Sequence, residues 1–381
     1  MDFDLSPDER AFQDSVSRFA QDKLAAGALA RAHEPGYPWE TAQLLASQGL
    51  LGIVMPEADG GAGGTLMDAV IAIQAVAAVC PKSADVVQAG NFGPIRTFAE
   101  YADAEQKARF LPDLLSGRAL IGLGMSEPEA GSAVTDLATT ARIEGDEVVI
   151  NGTKVFSTNS TEATVFLVYV RFGPGVGGIG SVLVERGTPG LSFGRPSAFM
   201  SGEEWTQLYF EDCRIPKANL LLGEGGFKKQ ISGFNVERLG NSSRALAVGR
   251  HAFEIARQHV LERRQFGRPL AEFQGLQWRF AEAAVKLDSA QLLLYRAASR
   301  EGLPSAYDTA VAKFACNQAG FEAADLAVQA MGASGYSQES LVEYCFRRTR
   351  GWMIAGGSTE VLKNRIAEEV FGRKFEQRAK A

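Results

Sequence analysis

Arg142-Ile143-Glu144-Gly145-Asp146-Glu147-Val148 alternates polar and apolar residues on either side of Gly145-Asp146, so it reads as a β-hairpin turning on those two residues. Around it, Val165 to Val170, Ser181 to Val184 and Thr206 to Phe210 are β-branched or aromatic runs bounded by glycine and proline. A period of two holds from Ile121 to Leu222, which predicts a small β domain. Gly173 to Gly180 inside it reads as a long surface loop, because no Lys-Ser/Thr follows as a phosphate loop would need.

Both flanks are helical. Ser6-Pro7-Asp8-Glu9 opens the first with a capping serine, a proline suited to the first turn and the acid of a capping box. The pattern runs to about Arg118, interrupted at Gly60-Gly61-Ala62-Gly63-Gly64, and the apolar run Asp68 to Val79 predicts a helix buried on most sides before the break at Pro81. After Gly225-Gly226 helical segments are expected at about 228–263, 272–300, 307–331 and 357–370. The expected organisation is therefore mainly α with a central β domain: residues 1–118 helical, 119–227 β, 228–381 helical.

Length and composition agree with two or three domains: 381 residues, 46% of them hydrophobic, with 39 basic against 45 acidic residues and a net charge of −6. An acidic balance without a basic cluster argues against nucleic acid or an anionic membrane as the main partner. Cys80, Cys213, Cys316 and Cys345 are far apart and form no ligand-spaced set with the three histidines, so no metal site is expected. The start, Met1-Asp2-Phe3-Asp4, lacks an apolar or Arg-rich leader and no apolar run approaches the roughly 20 residues of a span, so a cytoplasmic protein is expected.

Several segments could carry chemistry. Glu237 lies in a helical stretch with Gly233 four residues before it and Gly240 three after, both on its face. Glycines in a helix interior cost roughly 0.5–1 kcal/mol each, so the spacing suggests either a carboxylate overlooking a cavity or close helix packing. Met125-Ser126-Glu127-Pro128-Glu129-Ala130-Gly131-Ser132 follows a strand-like run and offers hydroxyls and free backbone, or is a surface turn. Arg263-Arg264-Gln265-Phe266-Gly267-Arg268-Pro269 sets three arginines about one ring at a helix end, fitting either a diphosphate clamp or cations at a helix C-terminus. Gln329 to Tyr336 and Ile354 to Glu360 join helices, with Gly332 a natural C-cap and Ser358 or Thr359 a natural N-cap.

In this order the segments resemble the acyl-CoA dehydrogenase family over essentially the whole chain. Met125 to Ser132 looks like its flavin-contact signature and Asn151 to Asn159 like the strand behind the flavin. Arg263 to Gly267 resembles Arg-x-x-Phe-Gly, Gln329 to Tyr336 resembles Gln-x-x-Gly-x-x-Gly-Tyr, and Ala355 to Glu360 resembles the loop that closes the site. The resemblance implies an N-terminal helical domain, a central β-barrel or sandwich domain, a C-terminal four-helix bundle and a homotetramer built as a dimer of dimers. It also implies bound FAD. Met125, Ser126, Phe156 and Thr158 would lie at the isoalloxazine, Ser132 at the thioester and pyrophosphate region, and Arg263, Phe266, Gln274, Gln329 and Gly332 would hold the ADP half from a neighbouring subunit. Ser358 and Glu360 would complete the cofactor pocket.

Many members carry the catalytic glutamate in the closing loop, where this chain has Gly356. Members resembling isovaleryl-CoA and long-chain enzymes place it before an arginine on the helix opening the last domain, as Glu237-Arg238 does here. The implied reaction is α,β-dehydrogenation of an acyl-CoA to the trans-2-enoyl-CoA. Glu237 takes the α-proton, a hydride goes to flavin N5, the Gly356 N–H polarises the thioester, Arg238 positions the substrate and an electron-transfer flavoprotein docks near Phe156 and Glu211. Phe156 replaces a usual tryptophan, Glu129 and Ala333 glycines and Ala133 an aspartate, while Ser358-Thr359 reverses the common order.

For the acyl pocket the resemblance points to the helix after Pro81, with Lys82 and Asp85 among its lining. Lys82 stands where glutaryl-CoA-type members carry an arginine, which implies a dicarboxylyl or otherwise polar acyl group; an Asp85-Lys82 surface pair at helical spacing is the alternative. An oxygen-using flavoenzyme on the same scaffold, such as an acyl-CoA oxidase or nitroalkane oxidase, and a non-catalytic acyl-CoA-binding descendant are the competing functions.

Overall fold

A computed structural model describes residues 4–299 and 302–377. Its first helices are α1 (Pro7–Leu24), α2 (Ala28–His33), α3 (Trp39–Ser47), α4 (Leu66–Ala77), α5 (Pro81–Ala89), α6 (Pro94–Tyr101) and α7 (Ala104–Leu115). The strands β1 (Ile121–Gly124), β2 (Thr140–Glu144), β3 (Glu147–Thr158), β4 (Val165–Arg171), β5 (Ile179–Glu185), β6 (Leu191–Phe193), β7 (Ser197–Ala198), β8 (Glu204–Pro216) and β9 (Leu220–Leu222) follow. Then come α8 (Phe227–Glu262), the short β10 (Arg264–Gln265) and β11 (Arg268–Pro269), α9 (Gln274–Ala298), α10 (Ala306–Met331), α11 (Ala333–Tyr336), α12 (Leu341–Trp352) and α13 (Thr359–Val370). The α, β, α order expected from the periodicities is the order found. The expected end of α9 at residue 300 lies outside the described residues.

By contact the chain forms two compact units. The sheet-containing unit is His33–Thr65 with Val86–Phe234; the helical unit takes the chain up to Ala32, Leu66–Asp85 and everything from Asn235. In the first, the strands run β6-β8-β3-β2-β4-β5-β9, with β1 parallel to β4 and β7 at the edge on β8. β2 and β3 pair antiparallel down to Glu144 opposite Glu147, and Gly145 at φ +62° makes the turn. Both faces of β4 are covered: Val165, Leu167 and Tyr169 pack with Phe98, Leu111 and Leu183, while Phe166, Val168 and Val170 pack with Val148, Ile150 and Phe210. Burial on two sides explains why this strand reads as a continuous apolar run rather than an alternating one. The Gly173–Gly180 loop is shorter than its glycines suggest, closing in a single turn at Val176–Gly178 before β5 begins.

In the helical unit, the capping box forms as expected: Glu9 N–H donates to Ser6 Oγ (3.2 Å) and Ser6 N–H to Glu9 Oε2 (2.7 Å). Val70 to Ile73 of α4 are wholly buried. α8 and α10 touch backbone to backbone, since a Cβ on Gly249 would lie 2.4 Å from the Gly320 Cα; only glycine permits that crossing. α12 was not expected from the periodicity. Its buried Val342, Cys345, Thr349 and Trp352 are interspersed with Arg347, Arg348 and Arg350, which blur the apolar stripe in sequence.

Candidate active site

Glu237 and Arg238 sit side by side on α8 in the helical unit, partly buried. Asn241 lies one turn beyond Glu237 on the same face, and Lys313 of α10 approaches them with its side chain fully buried. Lys313 Nζ donates to the carbonyls of Trp352 (3.1 Å) and Gly357 (3.0 Å), at either end of the loop 353–358. Asn317 adds a bond to Trp352 O (2.6 Å) and one to Asn241 Oδ1 (3.2 Å). Gly356 and Gly357 have φ of +72° and +94°, backbone that residues with a Cβ adopt only under strain. A Cβ at 356 would stand 3.3 Å from Lys313 Cε and 3.5 Å from Asn241 Nδ2, and one at 357 would stand 3.7 Å from an Arg238 Nη. Glu237, Arg238, Asn241, Lys313 and the glycine loop are therefore one cluster. Among the described residues the Gly356 N–H donates to no other backbone group.

The charges in this cluster are unbalanced. Burial, with Arg238 and Arg244 nearby, lowers Lys313 to about 7, Glu237 being the neighbour that favours its ammonium. Burial and the Arg365 guanidinium pull Arg238 below the usual arginine value. Arg238 donates to Asn235 Oδ1 (2.9 Å), and its Nε is buried with no partner among the described residues. The glycine spacing around Glu237 has a partly mundane cause: a Cβ on Gly233 would come within 2.9 Å of Thr97 Oγ1, so that gap is filled by α6 packing and is not open space.

Asp85 is not in a surface pair with Lys82. Its Oδ1 accepts from Arg244 (2.9 Å) and its Oδ2 from Arg348 (2.8 Å from Nη2, 2.9 Å from Nε), and both guanidiniums lie over the Trp352 ring. One carboxylate thus serves two nearly buried cations from chain positions 159 and 263 residues away. Lys82 is partly buried on α5. Sequence reading missed Lys313, Asn241, Asn317, Arg244 and Arg348. The available signal was a charge inside an apolar stretch, as in Ala310-Val311-Ala312-Lys313-Phe314-Ala315-Cys316.

In the sheet-containing unit, β1 is followed by Met125 and Ser126, whose carbonyls accept from Lys154 Nζ (3.3 Å) and Val155 N–H (2.9 Å). Lys154 is fully buried against Glu127 (2.6 Å), and Glu127 also accepts from the N–H groups of Ala138 (2.5 Å) and Thr139 (2.9 Å). Burial opposes the charge on Glu127, but Lys154 and these N–H groups together hold its carboxyl below the usual range; burial lowers Lys154 to about 8. The pair pins the Met125–Ser132 segment to β3. A bulge at Lys154/Ser157 with Phe156 at φ +56° turns the Phe156 ring outward, 58% exposed, 4.6 Å from Trp205. Thr158 and Ser132 are exposed, and the Ser157 Oγ is buried with no partner among the described residues.

Arg263 follows α8, and Phe266-Gly267 forms the two-residue turn between β10 and β11, both with positive φ. The three arginines do not surround Phe266, which is 93% exposed; Arg268 stacks on Phe273 instead (4.1 Å). Gln274 and Gln329 are exposed, Gly332 caps α10, and Ser358 caps α13 by accepting from Val361 N–H (3.4 Å), with Glu360 exposed in the first turn. Arg263, Phe266, Gln274, Gln329 and Glu360 are thus on the surface, while the Ser358 hydroxyl serves its cap.

The fold and the family it falls in are those of oxidoreductases acting on acyl-CoA. Models of the acyl-CoA dehydrogenase N-terminal, middle and C-terminal domains match residues 6–118, 122–213 and 224–371, and the chain belongs to that family, whose members are FAD flavoproteins. It is 34% identical to the acryloyl-CoA reductase (NADH) of Anaerotignum propionicum, covering 98% of this chain and 97% of the relative. It is 31% identical to the 3-sulfinopropanoyl-CoA desulfinase of Paraburkholderia xenovorans over the full length of both. A solved structure from work on the electron transferring flavoprotein of Acidaminococcus fermentans and flavin-based electron bifurcation matches with TM-score 0.90 and 30% identity, covering 97% of this chain and 99% of that one.

Proposed function

We propose that this chain catalyses FAD-dependent α,β-dehydrogenation of an acyl-CoA, with Glu237 as the base. The observation that carries the reading is the pairing of a carboxylate on α8 with a closing loop that has glycine, not glutamate, at 356. Glu237 removes the α-proton, Arg238 positions the substrate, and the Gly356 N–H polarises the thioester oxygen as enolate-like charge develops.

The residues fit a flavin. Met125 and Ser126 are pinned beside an exposed Phe156 and Thr158, and Ser157 keeps a buried hydroxyl unpartnered. Ser132 would face the pyrophosphate region, Ser358 and Glu360 would complete the pocket, and Arg263, Phe266, Gln274, Gln329 and Gly332 would hold the ADP half for a neighbouring copy. Bound FAD would supply the acceptor for the hydride leaving the β-carbon. Assembly as a homotetramer is supported by Trp278, Val285 and Leu292, exposed at seven-residue spacing along α9. Val285→Glu should then yield a smaller particle by light scattering; an unchanged mass removes α9 from the interface.

An electron-transfer flavoprotein as acceptor is supported by the Acidaminococcus neighbour. Four buried free cysteines accord with the reducing cytoplasm. A polar acyl group, with Lys82 as its contact, accords with the sulfinopropanoyl-CoA relative, while Asp85 would act through the Arg244 and Arg348 it holds. The acryloyl-CoA relative favours a second reading in which Glu237 returns a proton during enoyl reduction. Anaerobic titration of the yellow protein with butyryl-CoA, glutaryl-CoA and 3-sulfinopropanoyl-CoA tests the proposal. Bleaching by at least one thioester is expected, and none by any acyl-CoA, with reduction only by NADH, would leave the reductase reading.

A further inference from the structure

We propose that Lys313 is a positioning residue for this reaction: its side chain clamps both ends of the loop 353–358 and so fixes the Gly356 N–H. The inference rests on the dehydrogenase reading.

A lysine has three donors. Here two go to Trp352 O and Gly357 O, the last carbonyl of α12 and the carbonyl just before the Ser358 cap of α13. One side chain thus spans the whole connection between two helices. Asn317, one turn further along α10, already donates to Trp352 O, so a neutral amide meets part of that need, whereas a buried lysine costs far more to desolvate than an amide. Of the two side chains only Lys313 reaches the far end of the loop, at Gly357 O. The charged groups acting on Lys313 are Glu237, Arg238 and Arg244, all from α8, while α12 and the loop present backbone carbonyls. Glu237 is the one of these that favours the ammonium. The lysine stem also lies against Gly356, where a side chain would press on it. Loop shape is thus set by a residue that touches no reacting atom.

Lys313→Met fills a similar volume without donors or charge. In the holoprotein, the expected results are retained FAD content and a kcat lowered roughly 100-fold. The amides of residues 354–358 should also exchange faster with deuterium. Lys313→Gln, one bond shorter than the lysine, should speed exchange of the same amides, and it serves if the methionine variant does not fold. Lys313→Arg should recover part of the loss. A methionine variant with kcat within about threefold of wild type and unchanged loop exchange overturns the proposal. So does a loss of activity that follows FAD content alone with unchanged loop exchange. Loop exchange is read whether or not wild type oxidises thioesters. Failure of the clamp is therefore distinguished from failure of the dehydrogenase reading.

Discussion

Glu237→Gln is expected to remain yellow and to bind acyl-CoA, but to lose anaerobic bleaching by substrate, with kcat falling about 10³- to 10⁴-fold. Glutamine keeps the volume and half the hydrogen-bonding capacity of the carboxylate while losing the ability to accept the α-proton. No carboxylate at 356 can substitute, because that position is glycine with φ +72° and the Lys313 stem beside it. The substitution also removes the neighbour that favours the Lys313 ammonium among Arg238 and Arg244. The variant should therefore take up less positive charge at Lys313 near neutral pH, without unfolding. Stopped-flow absorbance of the flavin decides the matter: reduction at the wild-type rate would place the base elsewhere.

Glu127→Ala carries the largest expected stability effect. Lys154 is fully buried, and removing its carboxylate leaves an uncompensated ammonium together with the unpaired N–H groups of Ala138 and Thr139. Breaking a buried pair this way costs about 3–5 kcal/mol. Denaturant unfolding at neutral pH should show it, and flavin retention should fall because the Met125–Ser132 segment loses its tether. The double variant Glu127→Leu with Lys154→Met should recover most of the loss, since an apolar pair of similar volume needs no compensation. A single variant within about 1 kcal/mol of wild type would show that the pair contributes little.

The pH dependence has a definite sign. Glu127 is held below the usual carboxylate range, so its contribution is complete above that range and fades as the pH falls toward its native value. Lys154 is lowered from 10.5 to about 8, so between those values the unfolded chain holds the extra proton and stability rises with pH. In Glu127→Ala that rise should begin at lower pH, because Glu127 is what favours the Lys154 ammonium.

Local chemistry was legible along the chain. The Gly145-Asp146 hairpin, the Ser6 capping box, the buried α4 and the Gly332 and Ser358 caps each depend on residues within a few positions of one another. The α, β, α order followed from where the apolar period changes between 3.6 and two. The Glu237-Arg238 pair and the absence of an acid at 356 were equally visible, because they are statements about residue identity.

Partners were not. Only folding puts Thr97 against Gly233, gives Asp85 two arginines instead of Lys82, and sets Lys313 across both ends of the 353–358 loop. A period reports which face of a helix is apolar. It does not report which charge from 263 residues away will share that face, and buried charges, being costly to desolvate, are placed by such partners. The sequence by itself therefore determined the elements, their order and the candidate base, while the tertiary structure decided the electrostatic setting of that base, because desolvation and pairing exist only once distant segments exclude water together.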